Sequence, residues 1–351
     1  MIHPWHEAHW RRLLASAARR AHAVLLSGPR GQGKRAFAEA YAAHLLCAQP
    51  DTSGHACGAC APCRLRLSGN HPDLLRVLPE ADQPDFELPA GKSKPSTQIL
   101  IEQVRALREQ LSVTAHQSDT RVVIVDPAEA MNVSTANALL KLLEEPPAGT
   151  CFVLVTAAPR RLLPTIRSRC QHWPFSHPSA EATSAWLRQH AGEGAAPLLA
   201  LSGGMPLAAA QLAQQDGEAF RQRFVRDLLS MPSRDALLVA GDWDAWLRAK
   251  DTVAAGFTLV RLIEWMQRWV WDLSVTRLGG SARFFPDCRD RLAQLTAPVS
   301  DAAVLDCYNA MVQIQRAASH PLNVRLVLED MLLRYARALT PRQRQTSGEH
   351  A

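Results

Sequence analysis

Residues 28–35 read GPRGQGKR. They have the glycine and lysine spacing of a phosphate-binding loop, but an arginine where that loop needs serine or threonine. Glycines let successive backbone N–H groups turn inward around phosphate oxygens at a helix N-terminus, where the helix dipole also favours an anion. Gly28, Gly31, Gly33 and Lys34 supply this cradle. The hydroxyl that normally follows ligates Mg²⁺, which bridges the β- and γ-phosphates and neutralises charge during transfer. Arg35 offers no such ligand. Like charges ~4 Å apart repel by ~4 kcal/mol at an effective dielectric of about 20, so its guanidinium is expected to swing outward and leave a metal there under-coordinated.

Cysteine spacing carries a second signal. Cys47, Cys57, Cys60 and Cys63 are separated by nine, two and two residues. Four thiolates close a tetrahedral zinc shell and leave no position for water or substrate, so the metal expected here is structural. Free thiols and an iron–sulfur cluster are the other uses of such spacing, and His55 and His71 are nearby substitute ligands. Cys47 falls where the helix after the phosphate loop should end, so a metal would pin the intervening loop to that helix.

These groups need elements to hold them. Residues 22–27 (HAVLLS) read as a buried strand and 34–46 as the helix that follows. Residues 121–126 (RVVIVD) make a strand ending in Asp126, where a P-loop ATPase places a carboxylate that holds Mg²⁺ through water. Pro127 stands where an active enzyme carries an acid, and Glu129 is read as pointing away from the site. Residues 134–147 form a helix with a double-proline stop, and 151–156 and 171–175 are further strands. The stretch 82–97 reads as a surface loop before a helix over 99–111. With 73–78 this gives five strands, whose long crossovers demand a parallel sheet with helices on both faces.

The chain has 351 residues, 39 Lys+Arg against 33 Asp+Glu and eight cysteines, so two or three domains are expected. Its net charge of +6 is compatible with nucleic acid nearby, but no basic run forms a tail. The charged N-terminus is no secretory signal, and no apolar stretch is long enough for a membrane span. A cytoplasmic protein with reduced or metal-held cysteines is expected. Trp243, Trp246, Trp265, Trp269 and Trp271 recur at helical spacing and read as core or interface positions, not as a base-stacking platform. Cys151, Cys170, Cys288 and Cys307 read as buried small hydrophobes.

The ordered set HAVLLSGPRGQGK, the four-cysteine insert, GNHPDLLRV, RVVIVDPAEAM, ANALLKLLEEPP, FVLVTAAPRRLLPTIRSRC and LSGGMP resembles the AAA+ clamp-loader subunits of bacterial DNA polymerase III over nearly the whole chain. The lost hydroxyl and the modest length are similar to the delta-prime type and less like the gamma/tau motor. The resemblance implies an α/β P-loop AAA+ domain with its zinc module (1–176), a small helical lid (177–216), an all-α collar domain (217–340) and a disordered tail (341–351). Ser168-Arg169-Cys170 is similar to the motif whose arginine reaches a neighbour's γ-phosphate, so Arg169 is the expected trans arginine finger. Thr156 falls at the sensor position. Leu207 stands where active relatives carry a second sensor arginine. Gly28, Gly31, Gly33, Lys34, Asp126 and Thr156 then form a degenerate nucleotide site, with ATP or ADP bound weakly if at all.

The partners implied are gamma/tau motor subunits and a delta subunit in a pentameric ring, the sliding clamp, and primed DNA through the complex. The chain is expected to be a non-catalytic subunit of a DNA-directed DNA polymerase holoenzyme. An active AAA+ ATPase of the gamma/tau type is the alternative, and a zinc-dependent DNA-binding protein is a third reading.

Overall fold

The fold is that of a computed structural model, which describes residues 2–16, 21–83, 86–88, 94–112, 120–317 and 323–340. The expected tail, 341–351, and parts of the 82–97 loop lie outside the described residues. The chain divides into two compact units, Met1–Ala182 and Thr183–Ala351.

The first unit runs α1 (Glu7–Ala15), β1 (Ala23–Ser27), α2 (Lys34–Leu46), α3 (Ala61–Leu67), β2 (Leu74–Val77), α4 (Ile101–Ser112), β3 (Arg121–Val125), α5 (Val133–Glu144), β4 (Thr150–Thr156), α6 (Pro164–Arg169) and β5 (Gln171–Pro174). All strands pair in parallel, in the order β2-β3-β4-β1-β5. Each lies within one residue of its expected bounds, and the central strands β1, β3 and β4 are the near-continuous apolar runs that a sheet covered on both faces requires. Successive side chains of β1 serve opposite faces. Val24 and Leu26 pack with Trp10 of α1 and Phe37 and Tyr41 of α2, while Ala23 and Leu25 join the cluster of α4, α5 and α6 through Leu107, Leu139 and Ile166.

The second unit is helical throughout its described residues. It comprises α7 (Ala180–Ala191), α8 (Ala196–Leu201), α9 (Pro206–Gln214), α10 (Gly217–Ser230), α11 (Ala236–Arg248), α12 (Lys250–Ala254), α13 (Leu259–Arg277), α14 (Arg289–Thr296), α15 (Asp301–Ala317) and α16 (Val324–Ala338). Residues from the expected lid, Leu187, Leu198 and Leu201, and from the expected collar, Phe224, Trp243 and Trp269, belong to one apolar cluster. Four of the five tryptophans are core residues, as their spacing implied, and only Trp271 is exposed. Two of them are hydrogen-bonded within the core. Trp243 Nε1 donates to Asp227 Oδ2 at 3.0 Å and Trp269 Nε1 to the Tyr335 hydroxyl at 2.9 Å. No helix among the described residues is long and apolar enough to cross a membrane.

α13 ends at a pair of glycines, Gly279 and Gly280. Gly279 takes φ 82°, and the Gly280 N–H donates to the Val275 carbonyl at 2.8 Å, closing a Schellman turn. The chain then returns to Asp272, which is fully buried and accepts the backbone N–H groups of Arg283, Phe284 and Phe285 at 2.7–2.8 Å. Asp272→Ala would strand three donors that a carboxylate now holds. The expected loss is about 3 kcal/mol, read as a lower urea midpoint, with Asp272→Asn losing less; an unchanged midpoint for both variants would refute this anchoring role.

Candidate functional site

The phosphate-binding loop follows β1. Gly33 caps α2 with φ 95°, a conformation that a residue with a Cβ adopts only at a cost. The Gly28 N–H donates to the Thr156 carbonyl at 3.2 Å, tying the loop to β4. Lys34 is buried, and its Nζ donates to the carbonyls of Gly28 and Pro29, each at 2.7 Å. Burial pulls the Lys34 ammonium down to about 8, and Glu129 and Asp126 act against that shift.

Arg35 does not swing outward. Its Nε pairs with the Oδ2 of Asp126, the carboxylate expected to face a metal. Burial pushes the Asp126 carboxyl above its ordinary range, with the Arg35 hydrogen bond and charge acting against it, so a desolvated anion draws the nearby cation. Glu129 was read as pointing away, and the structure corrects this too. It is buried, accepts the Ala157 N–H at 3.1 Å and lies within electrostatic reach of both Lys34 and Asp126. The short turn Ala128–Ala130 folds it back toward the strand ends. Thr156 is fully buried, and its Oγ1 accepts the Ala158 N–H at 3.1 Å.

Sequence reasoning missed the N-terminal segment as part of this site. Trp5 Nε1 donates to the Gln32 carbonyl at 2.9 Å, and His3 stacks on Trp5 with ring centroids 4.8 Å apart. A Cβ on Gly33 would overlap the His3 ring. His6 is 1% exposed and meets Phe37 and Phe175 edge-on at 5.7 and 4.8 Å. Burial, then the charges of His3, His9 and Lys34, pull His6 down to about 3. The available signal was IHPWHEAHW, residues 2–10, in which five of nine residues are histidine or tryptophan.

The four spaced cysteines do come together. Every pair of sulfurs lies within 4.8 Å, and Cys47 Sγ is 3.6 Å from Cys57 Sγ and 3.9 Å from Cys60 Sγ. A tetrahedron with metal–sulfur bonds of about 2.3 Å has edges of about 3.8 Å, so the set could hold an ion such as zinc. Cys47 caps α2 as expected, while Cys60 caps α3 and Cys63 lies within it. The histidines are engaged elsewhere: His55 stacks on Trp10, and His71 Nδ1 accepts the Asp73 N–H. Cys151, Cys170, Cys288 and Cys307 are buried singly, and burial pushes the Cys170 and Cys307 thiols up to about 12.

Arg169 ends α6 with its side chain 36% exposed. Its guanidinium donates to the Thr165 carbonyl at 3.0 Å and pairs with Glu144 Oε1 at 2.7 Å. Arg160 and Arg161 nearby are exposed and Arg167 is half-buried.

Two outcomes are expected from these geometries. The purified chain should carry about one equivalent of zinc, with the thiols of Cys47, Cys57, Cys60 and Cys63 protected until a chelator removes it; a metal-free chain with freely titrating thiols would refute the site. Between its folded value near 3 and the ordinary histidine value of 6.5, His6 binds more protons unfolded than folded. Stability is therefore lost as pH falls through this window, by at most about 1.4 kcal/mol per pH unit from this group. His6→Phe should flatten that acid limb in denaturant titrations, and an equally steep limb would overturn the assignment.

The family model described as "DNA polymerase III, delta subunit" matches residues 6–179. The DNA polymerase III subunit delta' of Pseudomonas aeruginosa is 35% identical over 346 residues, covering 95% of this chain and 97% of the relative. The subunit delta' of Escherichia coli K12 is 33% identical over 351 residues, covering 97% and 96%. A DNA polymerase III subunit gamma/tau of Mycobacterium bovis is 40% identical, but over 159 residues that make up 45% of this chain and 25% of that relative. End-to-end similarity to the first two, against partial similarity to the third, shows that this chain belongs to the delta-prime subunit family of DNA polymerase III.

Proposed function

We propose that this subunit works in the cytoplasm within a pentameric clamp-loader ring with gamma/tau motor subunits and a delta subunit, helping to load the sliding clamp on primed DNA. Within that ring it supplies Arg169 in trans to a neighbour's ATP and hydrolyses little or no ATP itself. The observation that carries the trans role is topological. α6 enters the sheet just before the amino end of β5, whereas the phosphate loop leaves the carboxyl end of β1, which β5 pairs with in parallel. The four residues of β5 span about 13 Å at about 3.3 Å each, so Arg169 sits at the opposite end of β5 from its own loop, with its side chain partly exposed. An arginine finger contributes about 10³ to 10⁵ in kcat.

The low intrinsic activity follows from the loop itself. Arg35 replaces the metal-binding hydroxyl and pairs with Asp126, Pro127 replaces an acid, and Leu207 stands at the second sensor position. The Arg35–Asp126 pair is worth about 1 kcal/mol or less, because the Arg35 side chain is 57% exposed. Its strength does not close the site. The missing ligand and the added positive charge disfavour Mg²⁺ there, and the glycine cradle still permits weak phosphate binding. The structural role assigned to zinc at Cys47, Cys57, Cys60 and Cys63 is to hold α3 and the preceding loop on the end of α2.

In a reconstituted loader, Arg169→Ala should lower clamp- and DNA-stimulated ATPase at least tenfold with the ring intact; unchanged turnover would remove the trans role and leave a scaffold subunit. The isolated chain should turn over ATP far more slowly than about 1 s⁻¹, a rate typical of slow competent ATPases, and a rate near that value would instead favour an active motor.

A further inference from the structure

Glu144 is an anion in an unfavourable place. It is the last residue of α5, where the helix dipole disfavours a carboxylate. It also lines a cavity of about 410 Å³ with Arg108 and Lys141. Its carboxylate pairs with neither of these cations but with Arg169, from the end of a different helix, at 2.7 Å.

α5 and α6 meet through Leu143, Ile166 and Cys170 in one buried cluster. Glu145 and the prolines at 146 and 147 end α5 immediately after Glu144, so the backbone carrying the carboxylate is fixed on both sides. The guanidinium of Arg169 has five N–H donors. One nitrogen donates to the Thr165 carbonyl and another pairs with Glu144, and the half-exposed side chain keeps its remaining donors available at the surface.

We infer that Glu144 is a positioning residue for Arg169: its carboxylate and the Thr165 carbonyl hold the guanidinium plane in the orientation that a neighbour's terminal phosphate meets. The inference rests on the proposed trans role of Arg169. An arginine left loose loses its rotamer freedom only in the transition state. One oriented beforehand has lost it already, and the difference appears in kcat and not in ground-state binding. A carboxylate that sequestered the arginine would have the opposite effect on turnover.

The test uses the reconstituted loader at matched assembly, with clamp and primed DNA, and compares Glu144→Ala, Glu144→Gln, Arg169→Ala and the double variant. Glu144→Ala should lower kcat about three- to tenfold with KM for ATP unchanged. Glu144→Gln keeps an acceptor oxygen and should recover part of the loss. The double variant should be no slower than Arg169→Ala alone, since the carboxylate acts only through the arginine. The melting temperature of Glu144→Ala should not fall, because an anion is removed from a helix C-terminus, whereas a merely structural role would lower it. If Arg169→Ala slows the loader and Glu144→Ala leaves kcat unchanged or raises it, the positioning role is wrong and the trans arginine stands. If Arg169→Ala has no effect, the trans role fails and this inference fails with it.

Discussion

Parallel strands all deliver their carboxyl ends to one edge of a sheet, and that constraint assembles the candidate site of this subunit from distant parts of the chain. β1 opens into the glycine loop, β3 into Asp126, β4 into Thr156 and β5 into Phe175. The register sets Ser27 beside both Thr156 and Pro174. Backbone bonds then stitch the strand ends together, from the Gly28 N–H to the Thr156 carbonyl at 3.2 Å and from the Phe175 N–H to the Ser27 carbonyl at 2.7 Å. Burial on both faces makes this arrangement robust, because the central strands β1, β3 and β4 are held by two apolar layers and not by the polar groups at their ends.

Within that frame the charges of the loop and the strand ends face one another. Lys34 and Arg35 face Asp126 and Glu129, two cations against two carboxylates. A site built for Mg²⁺ would keep its acids for the ion and have a neutral hydroxyl beside the lysine. Here a fixed monovalent cation stands in that place. A divalent ion would meet a repulsive guanidinium and lose one ligand at the same time, so both terms act in the same direction.

Much of this was legible in the sequence, and what was not has a common cause. The helix Lys34–Leu46 and the five strands follow from apolar runs and glycine punctuation, which are local signals. The cysteine cluster is likewise local, spanning 17 residues of chain. The partner of Arg35 lies 91 residues away, and local pattern gives no direction for a long flexible side chain across such a separation. Glu129 was misread for the same reason, since a three-residue turn decides which way it faces. His3, Trp5 and His6 precede the first long helix and have no periodicity, so only their composition marked them. Asp272, a charged residue on a helix otherwise rich in core positions, gave no sign that it anchors the chain beyond the next turn.

The phosphate-loop sequence, although it carries Arg35 in place of a hydroxyl, has a structural explanation that needs no nucleotide. Lys34 binds two carbonyls of its own loop. Gly33 holds a positive φ, with the His3 ring where a side chain would have to fit. Gln32 binds the Ser176 carbonyl beyond β5 and receives Trp5 on its own carbonyl. The loop is therefore a junction between the N-terminal segment, β1, α2 and the end of β5. That junction requires the glycines and the lysine but leaves the next position open to arginine, whose side chain pairs with Asp126 and takes no part in it.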